Sequence, residues 1–314
     1  MILTCGDALI DMVPVRRPGE PPSYRPMAGG SCLNIAVALA RLGTPAGFVG
    51  GISTDFLGDI LRDTLTAEGV DLSRATFLDE ESTLGLVSLE SGSARYVFYD
   101  QASASRHWAP SEQALDFADV SAVHFGSVTL IGDPAGARCE AYAAKARRHC
   151  LVTLDPNCRP TLVRDPAAYR ARIDRMAQLS DIVRLSDEDA AYLYPDTPLD
   201  AVASLILDKG ARLVVLTRGA AGAAAATRSA SAHVPAVAVA VEDTIGAGDS
   251  FFAAFLTALS DLGSLDRAAV EYLSPADIEI ALRFAARAAS LACTKTGANP
   301  PYRRELAARV SEMS

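Results

Sequence analysis

The stretch Asp243-Thr244-Ile245-Gly246-Ala247-Gly248-Asp249 sets a carboxylate directly behind a glycine pair, with an apolar run, Phe251 to Leu259, following at once. That run predicts a helix, and the glycines and Asp249 fall at its N-terminus. Unpaired N–H groups and the positive end of the helix dipole meet there, so a phosphate would be held well. A carboxylate is at odds with a phosphate ligand, because like charges repel. It makes sense if Asp249 accepts the proton of a neighbouring hydroxyl while phosphate is transferred. The competing reading is a glycine-rich loop with Asp249 as an ordinary helix cap. The sequence holds no Gly-x-x-x-x-Gly-Lys-Ser/Thr loop, no protein-kinase catalytic loop and no dinucleotide fingerprint after the first strand. A nucleotide would need another architecture.

The elements that must position this loop are legible as an alternation. Ile2 to Thr4 predicts a strand ending at Gly6, followed by Ala8 to Val15. Residues 14–26 carry five prolines, which predicts a loop or an edge strand. Asn34 to Leu42 repeats apolar residues at helical spacing and stops at Gly43. Ala46 to Ile52 predicts a strand and Asp55 to Glu68 a helix, while Thr83 to Leu89 and Ala94 to Tyr99 predict a hairpin across Glu90-Ser91-Gly92-Ser93. From Val120 onward, strands at Val120 to Phe125, Leu151 to Leu154, Ile182 to Leu185 and Leu213 to Thr217 alternate with helices at Ala135 to Arg148, Pro166 to Leu179, Asp187 to Leu193 and Leu199 to Lys209. The alanines Ala220 to Ala226 predict a glycine-initiated hairpin turn. Such alternation implies a mainly parallel sheet covered on both faces, with ligands at the carboxyl ends of its strands. Asp11, Asp155 and Arg218 fall at or just past predicted strand ends.

Composition narrows the class. The chain has 314 residues, half of them hydrophobic, enough for a large α/β core. A net charge of −9 without a long basic run argues against nucleic-acid binding. Six cysteines and four histidines are scattered with no Cys-x-x-Cys, so neither a disulfide framework nor a zinc site is expected, and a reducing cytoplasm fits. The first residues carry no basic flank and no long apolar stretch, so neither a signal peptide nor a spanning helix is expected.

With these pieces in place, the chain resembles the ribokinase-like (PfkB-type) carbohydrate kinases, from about Gly6 to Pro301. One family signature is Gly29-Gly30-Ser31-Cys32-Leu33-Asn34-Ile35-Ala36, leading into Ala40-Arg41-Leu42-Gly43; the other is the Asp243 to Asp249 stretch. Gly6 to Asp11, His124 to Ser127, Asp155 to Pro160 and Gly297 to Pro300 are most similar to bacterial fructokinases. The resemblance implies an α/β three-layer sandwich in one kinase domain over 1–314, with a small β-sheet lid from about 12–27 and 83–107. It further implies a sugar and ATP as ligands, Mg²⁺ as cofactor, and a homodimer through the lid strands.

Residue by residue, the resemblance makes Asp249 the base that takes the sugar proton, with Gly246, Ala247 and Gly248 as an anion hole and Arg159 beside the transferring phosphate. Asp11, Gly29, Gly30, Asn34, Tyr99, Asn157 and Arg159 match sugar-side positions. Ser186, Thr217, Arg218, Gly219, Gly222, Gly246, Gly248, Ala298 and Asn299 match the nucleotide side. Local sequence leaves other roles open: Asn34 as a helix cap, Asp11 as a turn residue, and Arg159 in a surface ion pair with Asp165 or Glu188. The chain departs from the family where many members have Asn-x-x-Glu near the metal. Here Ser186-Asp187-Glu188-Asp189 stands, and Asp189 would reach magnesium through water. A capping box is the alternative for Ser186 and two of these acids. A monovalent cation such as K⁺ would act through the loop of Asp243.

The expected activity is ATP-dependent phosphorylation of a primary sugar hydroxyl, with fructose first. A kinase of 2-keto-3-deoxygluconate is the rival in class, and Arg95, Tyr96, Tyr99 and Arg106 are the residues that would bind its carboxylate. From another class comes a non-catalytic sugar or ATP sensor. It predicts erosion at Asp249 or its glycines, and neither is eroded.

Overall fold

A computed structural model describes residues 1–15, 21, 23–90 and 93–308. The first strand, β1 (Ile2–Cys5), is buried along its length, as a strand covered on both faces must be. β2 (Leu9–Val15) and β3 (Ser23–Gly29) leave the body as an antiparallel pair and return into α1 (Ser31–Arg41). The apolar run predicted as one strand from Ala46 breaks at Gly50 into β4 (Ala46–Val49) and β5 (Gly51–Ser53). Asp55 then caps α2 (Phe56–Ala67), accepting from the amides of Leu57 and Gly58. β6 (Thr76–Leu78) pairs with β5, and the predicted hairpin is β7 (Leu84–Glu90) and β8 (Ser93–Tyr99). Its turn residues, Ser91 and Gly92, lie outside the described residues.

After the short α3 (Ala104–His107) the alternation runs as expected. It comprises β9 (Ala122–Gly126), α4 (Ala135–Ala146), β10 (Leu151–Asp155), α5 (Pro166–Leu179), β11 (Ile182–Ser186), α6 (Asp187–Leu193), α7 (Leu199–Lys209) and β12 (Leu213–Thr217). The alanine patch does belong to a hairpin, but its turn is shorter than expected. Only Gly219–Ala221 turns, and Ala223–Ala226 is β13, antiparallel to β12 and to β14 (Ser231–Val234). Alternate alanines of β13, Ala223 and Ala225, are buried in the core with residues of α10. The chain closes with α8 (Ala247–Asp261), α9 (Arg267–Glu271), α10 (Pro275–Ala292) and α11 (Arg303–Ala308).

The large sheet has the order β14-β13-β12-β11-β10-β9-β1-β4, parallel from β12 to β4. One face buries Leu3, Phe125, Tyr142, Ile173 and Ile206 against α4, α5 and α7. The other buries Ile2, Ile35, Phe252, Phe255 and Leu282 against α1, α8 and α10. A separate four-stranded sheet, order β3-β2-β7-β8, stands where the resemblance implies a lid, though it begins at Leu9 and ends at Tyr99. Its residues Ile10, Met12, Ala28 and Leu84 pack on the body around α2, so Asp11 projects from the opposite face.

Candidate active site

Two helix N-termini meet at the carboxyl ends of the parallel strands. α1 starts at Ser31 because Gly30 takes φ +102, and a Cβ there would come within 2.8 Å of the Asp7 carbonyl oxygen. The Asp7 carboxylate, buried, receives the amides of Ser31 (3.2 Å) and Cys32 (3.1 Å) and the Ser127 hydroxyl (3.1 Å), closing the helix end. α8 starts behind Gly246, which is left-handed at φ +74 and packs on Ala298 closely enough that a Cβ would sit 2.9 Å from that residue's own Cβ.

Asp249 lies in the first turn of α8, buried, and does not cap it. Its carboxylate turns to α1 instead, accepting from Ser31 Oγ at 2.6 Å and Asn34 Nδ2 at 2.8 Å. Both capping alternatives therefore fall: Gly246 occupies the cap position of α8, and Asn34 is inside α1, reaching the base. Burial raises the Asp249 pKa, opposed by the Ser31 and Asn34 hydrogen bonds, with Asp7 adding to the rise and Arg159 opposing it. Of the expected anion-hole amides, Ala247 donates to the Thr244 carbonyl at 3.2 Å. Among the described residues, the amides of Gly246, Gly248 and Asp249 have no acceptor, so they are the donors open to a ligand.

On the sugar side, Asp11 is the third residue of β2, not a turn residue, and pairs with Met27 and Gly85. Its carboxylate lies over Gly29 and Gly85, where a Cβ would come within 2.3 and 2.9 Å of its oxygens. Burial pushes Asp11 up to about 6, with Asp7 adding to the rise and Arg159 lowering it. Arg159 thus acts on both Asp11 and Asp249. It makes no ion pair with Asp165 or Glu188; its Nη1 donates to Asn157 Oδ1 at 2.6 Å and to the carbonyls of Asn157 and Cys158.

Three assignments need correction. Tyr99 shares the face of Leu84, which packs toward the body, and is 60% exposed; its neighbour Phe98 lies beside Gly85 on the Asp11 face. A one-residue step inverts the face of a strand residue. Arg218 directs its guanidinium to Asp200 on α7 at 2.8 Å, and only its backbone joins the turn, its amide donating to the Gly222 carbonyl and its own carbonyl accepting from the Ala221 amide. The Asp189 carboxylate is taken up within the chain, accepting from the amide and hydroxyl of Ser186 and from the amide of Cys158 at 2.7 Å. Ser186 and Asp189 form the capping box of α6, the alternative reading of these residues, and Asp187 Oδ1 accepts from the Glu188 amide at 3.1 Å.

The nucleotide-side loops converge through Asp243 and Arg41. Asp243 accepts from the amides of Ile245 (3.0 Å) and Gly297 (2.8 Å), tying the anion-hole loop to the segment of Ala298 and Asn299. Arg41 donates to Asn299 Oδ1 (2.7 Å), the Pro300 carbonyl (2.8 Å) and Glu68 (2.6 Å). Sequence reasoning missed Ser31, Asp7 and Arg184. The first two lay inside quoted motifs without a role, whereas Arg184 had no local signal at all. It is buried on β11, bonded to Asp155 at 2.8 Å and to Thr217 at 2.5 Å. Asp155 is pushed up to about 6 by burial, with Arg184 opposing the rise.

Known proteins are similar to this chain over most of its length. Residues 1–304 match the pfkB family of carbohydrate kinases. The fructokinase of Rhizobium leguminosarum bv. trifolii is 42% identical over 259 residues, 82% of this chain and 79% of that protein. The crystal structure of a Xylella fastidiosa fructokinase with bound ATP superposes with a TM-score of 0.91 at 29% identity, covering 99% of this chain and 98% of that one. A Vibrio cholerae O395 fructokinase in a form with fructose, ADP and calcium bound gives a TM-score of 0.81 at 28% identity, covering 98% and 97%. A buried carboxylate beside open helix amides, on this fold and over nearly the whole chain, places the protein in the pfkB family of carbohydrate kinases.

Proposed function

We propose that the chain transfers the γ-phosphoryl group of ATP to a primary hydroxyl of a small neutral sugar, with fructose as substrate. The observation that carries this is the Asp249 carboxylate, held by Ser31 and Asn34 beside the open amides of Gly246, Gly248 and Asp249. Asp249 takes the proton of the attacking hydroxyl, and the amides with Arg159 stabilise charge on the phosphoryl group. The raised Asp249 pKa suits this task, since a more basic carboxylate is a better proton acceptor. Asp11, Gly30 and Asn34 hold the sugar, and the small sheet covers it as a lid. Thr217, the turn from Gly219 to Gly222, and Ala298 with Asn299 hold the nucleotide.

Fructose is favoured over a keto-deoxy sugar acid by charge. Arg106, a candidate partner for a substrate carboxylate, is paired with Asp100 at 2.8 Å, and Tyr99 lies on the wrong face. The side chains of Arg95 and Tyr96 lie outside the described residues. The relatives named fructokinase support the same choice.

Mg²⁺ would be carried by the ATP phosphates, with Asp187 or Glu188 in the first turn of α6 holding its waters. It would neutralise charge on the phosphates. A monovalent cation is proposed at the Asp243 loop, testable by turnover in K⁺ against tetramethylammonium. A homodimer through the small sheet is proposed from the exposed Tyr24, Val97 and Tyr99 on one of its faces. Six unpaired cysteines support a reducing cytoplasm, and among the described residues no helix is long and apolar enough to cross a membrane.

The test is ATP-dependent ADP release with fructose, ribose, 2-keto-3-deoxygluconate, glucose and adenosine. Turnover highest with fructose is expected. Turnover highest with the keto-deoxy acid would overturn the substrate, and ATP binding without turnover on any sugar would overturn the kinase reading.

A further inference from the structure

Arg184 is a charge that stability does not explain. Its partner Asp155 is fully buried, and taking both ions out of water costs several kcal/mol that their attraction seldom exceeds. Its Nε has no hydrogen-bond partner, a further cost. An apolar pair of similar volume would fill this place at least as well.

The guanidinium bonds two residues and fills the space beside a third. Nη1 donates to Asp155 Oδ2 at 2.8 Å and Nη2 to Thr217 Oγ1 at 2.5 Å, the last residue of β12 on the nucleotide side. The guanidinium fills the space a side chain at Gly248 would take: a Cβ there would lie 3.2 Å from Nη2 and 3.3 Å from Nη1. The connection continues toward the sugar. Asp155 Oδ1 accepts from the amide of Asn157 at 3.2 Å, and the Oδ1 of Asn157, left-handed at φ 42, accepts from Arg159 Nη1 at 2.6 Å. One rigid fork therefore joins the nucleotide strand end, the anion-hole peptide and the loop that aims Arg159.

We propose that Arg184 is a positioning residue for phosphoryl transfer, fixing the Gly248 amide and, through Asp155 and Asn157, Arg159 relative to the nucleotide strand end at Thr217. The proposal rests on the kinase reading above. Its positive charge lies beneath amides that face developing negative charge, in a site shielded from water, where such charge counts most. Lysine could pair with Asp155, but its single ammonium cannot brace Thr217 and Gly248 together.

The test starts once the wild-type protein has shown sugar-dependent turnover, so that failure of the kinase reading is separated from failure of this one. Arg184→Lys, Arg184→Met and the double variant Asp155→Asn/Arg184→Met are compared for kcat, KM of each substrate and melting temperature. Arg184→Met strands a buried carboxylate and is expected to melt lower; the double variant removes both charges and regains stability. If the proposal holds, the double variant keeps kcat down by about 100-fold, the scale of one lost oxyanion donor, with the sugar KM within a factor of two or so. Arg184→Lys folds and loses about tenfold in kcat, as a weaker brace should. A double variant that melts like wild type with kcat within about threefold of it would overturn the proposal. So would a lysine variant with full activity, or kcat losses that simply track melting temperature.

Discussion

Replacing Asp249 by asparagine should separate activity from stability, in opposite directions. The substitution keeps the shape of the side chain and both of its hydrogen bonds. The amide oxygen can face Asn34 Nδ2, and the amide nitrogen can donate to Ser31 Oγ, which accepts as readily as it donates. What disappears is the negative charge. As the general base it contributes about 10²–10⁴ in rate, or about 2.7–5.4 kcal/mol of barrier at 1.36 kcal/mol per decade. For stability, two effects compete. Exchanging charged for neutral acceptors weakens each hydrogen bond by about 1 kcal/mol, while removing a buried ion relieves several. The direction of the pKa shift decides between them: Asp249 is raised by burial despite both bonds, so its ionised form is less stable folded than unfolded. A raised acid costs stability above its folded pKa, and the cost vanishes below the unfolded value of about 3.9. Asp249→Asn should therefore melt at or above the wild-type temperature near pH 7, with the advantage shrinking as pH falls toward 4. The assays are steady-state ADP release with fructose and calorimetric melting at several pH values. A variant that keeps kcat within tenfold of wild type removes Asp249 as the base. A variant that melts well below wild type at pH 7 refutes the electrostatic account.

Other consequences follow from single contacts. Asp11, pushed up to about 6, must be ionised to accept sugar hydroxyls, so kcat/KM for the sugar should rise as pH increases through about 6. Asp11→Asn should raise the sugar KM and flatten that rise; an unchanged profile would clear Asp11 of the role. Ser31→Ala deletes the 2.6 Å bond to Asp249, a charge-assisted contact whose loss costs about 1.5–3 kcal/mol, or roughly ten- to a hundredfold in turnover. The lost bond is one that lowers the Asp249 pKa, so the acidic limb of the kcat profile should move to higher pH. Arg41→Met frees Asn299 and Pro300 from α1, and should raise the ATP KM severalfold while leaving the sugar KM unchanged. A sugar KM that rises equally would mean a general loosening of α1 instead.

Much of this fold was legible because its signals are local. Periodicity placed α5, α6, α7 and β12 at their observed ends, and the proline-rich stretch did mark an edge strand, β3. The two glycine motifs marked the helix ends that build the site, since each needs a backbone that only glycine adopts freely. The misses have a common origin in parity and register. Tyr99 was assigned to the sugar because it is a tyrosine in the right strand, yet Phe98 has the right face. Ala223–Ala226 read as part of the hairpin turn because alanine carries little strand signal, and their pairing with β12 and β14 makes them a strand. Arg184 gains its meaning from the parallel register that sets β10 and β12 on either side of β11. No local pattern around position 184 contains that information.

The site also resolves the conflict of a carboxylate at a phosphate-binding helix end. The first turn of α8 offers two directions. Its backbone amides at Gly246, Gly248 and Asp249 open along the helix axis, while the Asp249 side chain leaves sideways and is pinned to α1. The pinning helix is itself capped by Asp7 and begins at Gly30, so one short segment fixes the base and forms part of the proposed sugar cradle. Two helix dipoles point positive ends into this region, which favours negative charge there and offsets part of the desolvation that raises Asp249. The Asp249 carboxylate and the amides are thus neighbours in sequence but open in different directions, and in the proposed reaction the amides would meet a phosphate and the carboxylate a hydroxyl held at α1. Transfer between two such partners requires the hydroxyl to lie between Asp249 and the amide donors. That is the position a sugar held by Asp11, Gly30 and Asn34 would occupy.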